Sequence, residues 1–417
     1  MTSATAPVAT GLDVLREQGF AALRGQRVGL LCHPASVDRG LTHAAALLHA
    51  SAAVDLRALF GPQHGLRGET QDNMVEWEGF RDEATGLPVF SLYGEHRRPT
   101  AAMLDGIDTL VVDLQDVGAR YYTFVWTLLL CLDACAQAGK RVVVLDRPNP
   151  IGGAAREGAL LEPAYASFVG LAPLPMRHGL TLGELALWLR RWRTGPGAAS
   201  EWRAARGDAP TTRVPPPPLD LEIVPMRGWR RTMPFDAAGL PWVLPSPNMP
   251  TPETALVYPG MCLLEGTELS EGRGTTRPFE IFGAPGVDPD ALAARLAEWR
   301  LPGAVFRPLH FQPAFQKHAG RLCGGAQIHV LDRAAFRPCL TAVAVLAAVC
   351  DAAPAALRWR EPPYEYETVK RPFDILAGGP RLRERIEAGH APADIAAEWD
   401  EGVAAFTAGL GECLLYE

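Results

Sequence analysis

Gln63, His64, Arg67 and Glu69 crowd into one short stretch, Gln63-His64-Gly65-Leu66-Arg67-Gly68-Glu69, directly after an apolar run over residues 54–60. Gly61, Gly65 and Gly68 allow sharp turns there. A histidine between such hinges, with an arginine and a carboxylate beside it, suits acid–base work or the gripping of a polar ligand. A second cluster, Asp113, Asp116, Arg120 and Tyr122, follows the apolar run 107–112. Its paired carboxylates suit proton transfer or metal binding, although Asp113 equally suits loop amides or a pair with Arg120. A third, Asp146-Arg147-Pro148-Asn149-Pro150, follows the run 141–145 and makes a rigid corner. Asp146 there could orient a histidine or a sugar hydroxyl, and Arg147 could serve structure alone. Farther on, prolines present Asn248 and Thr251, and a glycine-rich loop over 265–276 carries Glu271 and Arg273.

The elements behind these clusters are apolar strands, each ending where the polar residues begin. If the strands are parallel, all three clusters share one sheet edge, where open α/β sheets bind ligands. Strand, loop and helix alternate to about residue 150, the rhythm of βαβ units. At 417 residues the chain exceeds the roughly 250–300 residues of a single core. The pattern predicts an α/β protein: a Rossmann-like parallel-sheet domain over 11–235, a smaller mixed α/β auxiliary domain over 236–417, and an active-site cleft between them. Helices are predicted over 11–23, 119–139, 181–193, 288–299, 334–352 and 391–410, and strands over 26–32 and 326–331. Thr181 and Glu184 have the spacing of a capping box. The chain ahead of Gly11 reads as a disordered start, 208–220 as a polyproline spacer or exposed loop, and 240–287 as irregular chain with short strands at most. The loop 265–276 is too long for a simple connector and is expected to close over the cleft.

Composition excludes several classes. A net charge of -7 gives no basic footprint for nucleic acid. No apolar run reaches the ~18 residues of a membrane span, and the N-terminal residues lack an export signal, so a cytoplasmic protein is expected. The eight cysteines have no metal-ligand spacing, and Cys131 and Cys135 read as buried thiols on one helix face. Phosphate-binding loops of the G-x-G-x-x-G or Walker kind are absent, as are HExxH, EF-hand and G-x-S-x-G motifs. The expected ligand is a small polar molecule, with no cofactor and no metal.

The order of motifs resembles the NamZ-type exo-β-N-acetylmuramidases, peptidoglycan-recycling glycosidases. It is carried by Gly61-Pro-Gln-His-Gly-Leu-Arg-Gly68, Ser91-Leu-Tyr-Gly94, Asp113-Leu-Gln-Asp-Val-Gly-Ala-Arg-Tyr-Tyr-Thr123 and Leu145-Asp-Arg-Pro-Asn-Pro150. It continues through Ser167-Phe-Val-Gly170, Arg177-His-Gly-Leu-Thr-Leu-Gly-Glu-Leu185, Leu244-Pro-Ser-Pro-Asn-Met-Pro-Thr251 and Ser270-Glu-Gly-Arg-Gly-Thr-Thr276. The resemblance implies a Rossmann-like domain, an auxiliary domain, and release of N-acetylmuramic acid from non-reducing ends. It also implies a muramic-acid-containing sugar or muropeptide as partner, and an exported setting for many members. The family's catalytic glutamate is implied in the first motif, where this chain has Gln63, which has no proton to give.

The readings left open are a glycosidase whose proton comes from His64, Glu69 or Glu76, a glycosidase of changed specificity, and a muramyl-sugar-binding protein without turnover. A metal-dependent hydrolase built on Asp113, Asp116 and His64 is a further alternative. For the glycosidase, the expected catalytic set is Gln63, His64, Glu69 and Asp116. Arg120, Arg147 and Arg273 are candidates for the lactyl carboxylate, and Arg67, Asp113, Tyr122, Asp146, Asn248 and Glu271 for other substrate groups. The oligomeric state is open.

Overall fold

The computed structural model describes residues 8–72, 74–195, 202 and 217–417. The start of the chain and most of the proline-rich 208–220 stretch fall outside them. Seven strands form the first sheet: β1 (Arg27–Cys32), β2 (Asp55–Gly61), β3 (Phe80–Arg81), β4 (Pro88–Ser91), β5 (Thr109–Asp113), β6 (Arg141–Leu145) and β7 (Leu221–Val224). Their order is β3-β4-β2-β1-β5-β6-β7, with every pairing parallel except β3 with β4. β5 is buried along its whole length and β6 from Val142 onward, which explains their unbroken Val/Leu runs. In register, Leu31 pairs with Phe60 and Cys32 with Asp113, so the strands end level with one another.

Helices α1 (Gly11–Glu17), α2 (Ala44–Ala50), α3 (Ala101–Asp105), α4 (Phe124–Ala138) and α5 (Leu182–Thr194) accompany the sheet. α5 starts with the expected capping box: Thr181 Oγ1 accepts from the Glu184 amide at 3.3 Å, and Glu184 Oε2 from the Thr181 amide at 3.0 Å. α4 is shorter than predicted. Arg120, Tyr121 and Tyr122 lie in the turn ahead of it, because the Arg120 amide is drawn to the Met176 carbonyl at 2.8 Å. All of α4 from Phe124 to Ala136 is buried, Cys131 and Cys135 included.

The second half contains α6 (Pro252–Met261), β8 (Ile281–Ala284), α7 (Pro289–Glu298), β9 (Ala304–Phe311), β10 (Cys323–Val330) and α8 (Pro338–Ala352). Four short helices follow, α9 (Pro372–Ala377), α10 (Arg381–Glu387), α11 (Pro392–Ala397) and α12 (Asp400–Ala408). The three strands make an antiparallel sheet in the order β8-β10-β9. α6 overturns the expectation of irregular chain over 240–287. It is buried from Thr254 to Met261, so no apolar stripe marks it, and it contains Pro259 and Gly260. Gly260 lets α6 meet α8 at backbone distance, since a Cβ there would lie 1.9 Å from the Pro338 carbonyl oxygen. The predicted final helix is two, α11 and α12, divided near Trp399.

One hydrophobic cluster runs through both halves, from α4 to α8. Polar contacts fix the join. Glu157 accepts from the amides of Cys339 at 3.2 Å and Leu340 at 2.8 Å, supplying from the first domain the N-terminal cap that α8 lacks.

Candidate active site

β1 lies between β2, which directly follows it, and β5, four strands later, so successive connections run to opposite sides of β1. The loops after β2 and β5 therefore diverge and open a crevice at the carboxyl edge of the sheet. Gln63 and His64 enter it from the β2 side, and Tyr122 and Thr123 from the β5 side. The second domain closes it with Glu265, Arg273, Tyr364 and Glu365. The pocket's carboxylates come from the second domain.

Glu365 is the least expected of these residues. It is 3 % exposed, and its carboxylate accepts from Gln63 Nε2 at 3.1 Å and from the Tyr93 hydroxyl at 2.7 Å. Thr123 Oγ1 donates to Gln63 Oε1 at 2.6 Å, which fixes the amide so that its nitrogen faces Glu365 and, at 3.0 Å, Tyr93. Burial pushes the Glu365 carboxyl up to about 7; the bonds from Tyr93 and Gln63 pull the other way, and the nearby Glu265 charge adds to the rise. The backbone here is a two-residue turn. Tyr364 and Glu367 exchange amide–carbonyl bonds of 2.8 and 2.9 Å, and the two central residues, Glu365 and Tyr366, have φ of 45° and 69°. Such turns normally take Asn-Gly. Holding two larger side chains there costs about 1–3 kcal/mol each, the kind of strain that collects at working sites.

Glu265 is the electrostatic opposite. Burial opposes its charge, but Arg273 Nη2 at 2.7 Å and the Tyr364 hydroxyl at 2.8 Å hold it below the usual glutamate range. Arg273 is in turn 3.3 Å from Glu271, which receives Lys317 Nζ at 2.8 Å. The pocket thus holds one carboxyl kept protonated into the neutral range and one kept ionised.

His64 also sits in the left-handed region, at φ 70°. Its Nδ1 donates to the Thr70 carbonyl at 2.9 Å, leaving Nε2 as an acceptor. Burial lowers its pKa to about 4 despite that bond, with Arg273 adding to the drop. At neutral pH His64 is uncharged and has no proton to deliver at Nε2.

Of the residues expected from the sequence, Gln63, His64, Tyr122, Asn248 and Arg273 line this pocket. Asn248 is clamped to the loop at Gln71, donating to its carbonyl at 2.8 Å and accepting from its side-chain amide at 3.2 Å. Glu271 stands behind Arg273. Glu69 and Arg67 are exposed and outside the lining; Arg67 lies over the Phe80 ring at 4.8 Å. Asp116 is buried behind the wall, accepting from the Gly118 amide at 2.7 Å and lying 3.2 Å from His178 Nε2. Asp113 is taken by Arg147 in a two-pronged pair at 2.5 and 2.8 Å. Asp146 holds the start of α5 and the end of the chain, accepting from Thr181 at 2.7 Å, the Gly183 amide at 2.7 Å and Tyr416 at 2.6 Å. Arg120 is fully buried and donates to the carbonyls of Ala159, Leu174 and Leu376 at 2.6, 2.8 and 2.7 Å. It rivets the two domains, and its guanidinium has no face toward a substrate carboxylate. The loop 265–276 does close the cleft, through Glu265 and Arg273.

Glu265, Tyr364 and Glu365 escaped the sequence reading as individual site residues. Glu265 opened a loop in which Glu271 and Arg273 drew the attention. Glu365 lies in Pro362-Pro363-Tyr364-Glu365-Tyr366-Glu367, far from any strand end, and nothing local distinguishes it from a surface turn.

Two family models match the chain: the N-terminal part of exo-β-N-acetylmuramidase NamZ over residues 28–253, and its C-terminal part over residues 256–416. The chain is 41% identical over 409 residues to the peptidoglycan β-N-acetylmuramidase NamZ of Bacillus subtilis (strain 168), covering 98% of this chain and 91% of that one. Its structure is similar to crystal structures of two DUF1343 family proteins from Bacteroides fragilis NCTC 9343. They have TM-scores of 0.86 and 0.73 at 35% and 27% identity, each over 99% of both chains. Both halves and the join between them are thus accounted for, and the chain belongs to the NamZ exo-β-N-acetylmuramidase family.

Proposed function

We propose that this protein is a glycoside hydrolase that releases N-acetylmuramic acid from the non-reducing ends of peptidoglycan fragments, with Glu365 as its proton donor. The observation that carries the reading is the pair of buried glutamates held in opposite charge states within one pocket between the two domains. Glycosidic cleavage needs both an acid for the leaving oxygen and a negative charge near the oxocarbenium-like carbon. The Glu365 proton passes to the glycosidic oxygen as the C1–O bond breaks, and the bonding electrons leave with that oxygen. Glu265 supplies the ionised charge, held by Arg273. Water then adds to C1 and returns a proton to the site. Gln63, which has no acidic proton, aims Glu365 by donating an amide N–H to it, so the absence of a carboxyl at that position is compatible with turnover.

The test is hydrolysis of the p-nitrophenyl β-glycosides of N-acetylmuramic acid and N-acetylglucosamine, followed by an N-acetylmuramyl disaccharide. The wild type is expected to cleave the muramyl substrates in strong preference. Glu365→Gln should lose on the order of 10²–10⁴-fold on the disaccharide, the usual worth of a general acid. It should lose far less on the aryl glycoside, because p-nitrophenolate leaves without a proton. A wild type that binds the muramyl sugar but cleaves neither substrate refutes the glycosidase and favours a binding protein.

A further inference from the structure

The turn that aims Glu365 inward places Tyr366 outside the pocket, and this side chain has no part in the chemistry described so far. It is 38% exposed, yet its surroundings are ordered: its ring meets Tyr93 edge-on at 5.5 Å and Phe168 at 5.9 Å, and the Arg97 guanidinium carbon lies 3.9 Å from its centroid. Tyr93 is the residue whose hydroxyl holds Glu365, so ring and acid are braced by one side chain. Arg97 makes no ion pair with a carboxylate among the described residues, whereas Arg273 in the pocket wall and Lys317 behind it are both paired with glutamates. The Tyr366 hydroxyl faces both Glu76 and Arg97, and the five N–H groups of a guanidinium leave others for an outside acceptor.

We propose that Tyr366 and Arg97 form the subsite for the leaving sugar, the ring offering apolar surface to its C–H groups and the guanidinium donating to its hydroxyl or acetamido oxygens. This rests on Glu365 being the acid. An acid protonates the bond between the retained and departing sugars, so the departing sugar lies on the side of the acid away from the closed pocket. Tyr366 is the residue that follows the acid on the same turn. An aromatic ring with a charged polar neighbour at such a position binds an amphipathic ring at little entropic cost, because both side chains are already held.

Tyr366→Gly and Arg97→Ala separate this role from structural damage. Glycine adopts a φ of 69° freely, so the first variant removes the ring without straining the turn. Each variant is assayed on the N-acetylmuramyl–N-acetylglucosamine disaccharide and on N-acetylmuramyl β-fluoride, whose leaving group is too small to reach the subsite. The expected result is a loss of about tenfold or more in kcat/KM on the disaccharide, mainly in KM, with less than about twofold change on the fluoride. Tyr366→Phe, which keeps the ring, should stay near wild type on both. Equal losses on both substrates, none on the disaccharide, or a disaccharide loss confined to kcat, as displacement of Glu365 would give, overturn the subsite while leaving the glycosidase reading intact. A wild type inactive on both overturns that reading and the subsite with it.

Discussion

Replacing Glu365 with glutamine removes a titratable group from a buried position while keeping its shape, and the consequence for stability can be worked out from the pocket. In the folded chain the carboxyl titrates at about 7 against an ordinary 4.5, chiefly because burial penalises the charged form. The folded state therefore holds this proton more tightly than the unfolded state does. Below the unfolded value both states are protonated and the group costs nothing. As pH rises toward 7 the unfolded chain releases the proton first, so stability falls, and above 7 the loss is complete. A shift of this size corresponds to about 3 kcal/mol. His64 and His33, which burial drives down to about 4 and about 3, work in the opposite direction, since they destabilise the fold as pH drops. The wild-type curve alone mixes these effects. The difference between wild type and Glu365→Gln isolates the one carboxyl, because both proteins share the histidines. Urea unfolding at about pH 4.5 and about pH 8 should show the wild type losing about 2–3 kcal/mol relative to the variant across that interval. The same carboxyl should set the alkaline limb of kcat/KM near pH 7 for the wild type on a sugar leaving group. A pH-independent stability difference would refute the raised carboxyl, and with it the assignment of Glu365 as the acid.

Gln63→Glu would set a second carboxyl where the amide now lies 3.1 Å from Glu365. Two such groups share one proton, so the variant should keep activity within about tenfold and move its alkaline limb upward; strong turnover arising from an inert parent would show that Gln63 had disabled the site. Arg120→Ala leaves three carbonyls at the domain join without their donor and should cost about 3 kcal/mol or more in urea unfolding. A variant that instead folds with wild-type stability and shows only a raised KM would restore Arg120 as a substrate contact. Cys32, Cys131, Cys262 and Cys339 are buried free thiols whose pKa burial pushes well up, so a thiol reagent should label them only after denaturant is added. Labelling in the native protein at the rate of a free thiol would contradict that burial.

The sequence by itself determined what depends on near neighbours. Apolar runs ending in glycine and charge marked the strands β2, β5 and β6 and the edge at which they stop, because a buried parallel strand must be apolar throughout and its loop must not be. The Thr181–Glu184 cap was legible because both partners lie within one helical turn. α6 was not, because a helix buried on every side, with a proline and a glycine where it crosses α8, has no amphipathic period to display. The tertiary structure alone decided which polar residues face the pocket. Arg120 and Asp113 have side chains fit for a ligand, but carbonyls and an arginine brought in by folding consume them. Glu365 reads as a surface turn until the second domain sets it against Gln63, 302 residues away in sequence. Its burial, its retained proton and its aim all arise from that contact. A side chain's type is written locally, but its protonation state and its partner depend on the dielectric and the neighbours that only the packed chain supplies.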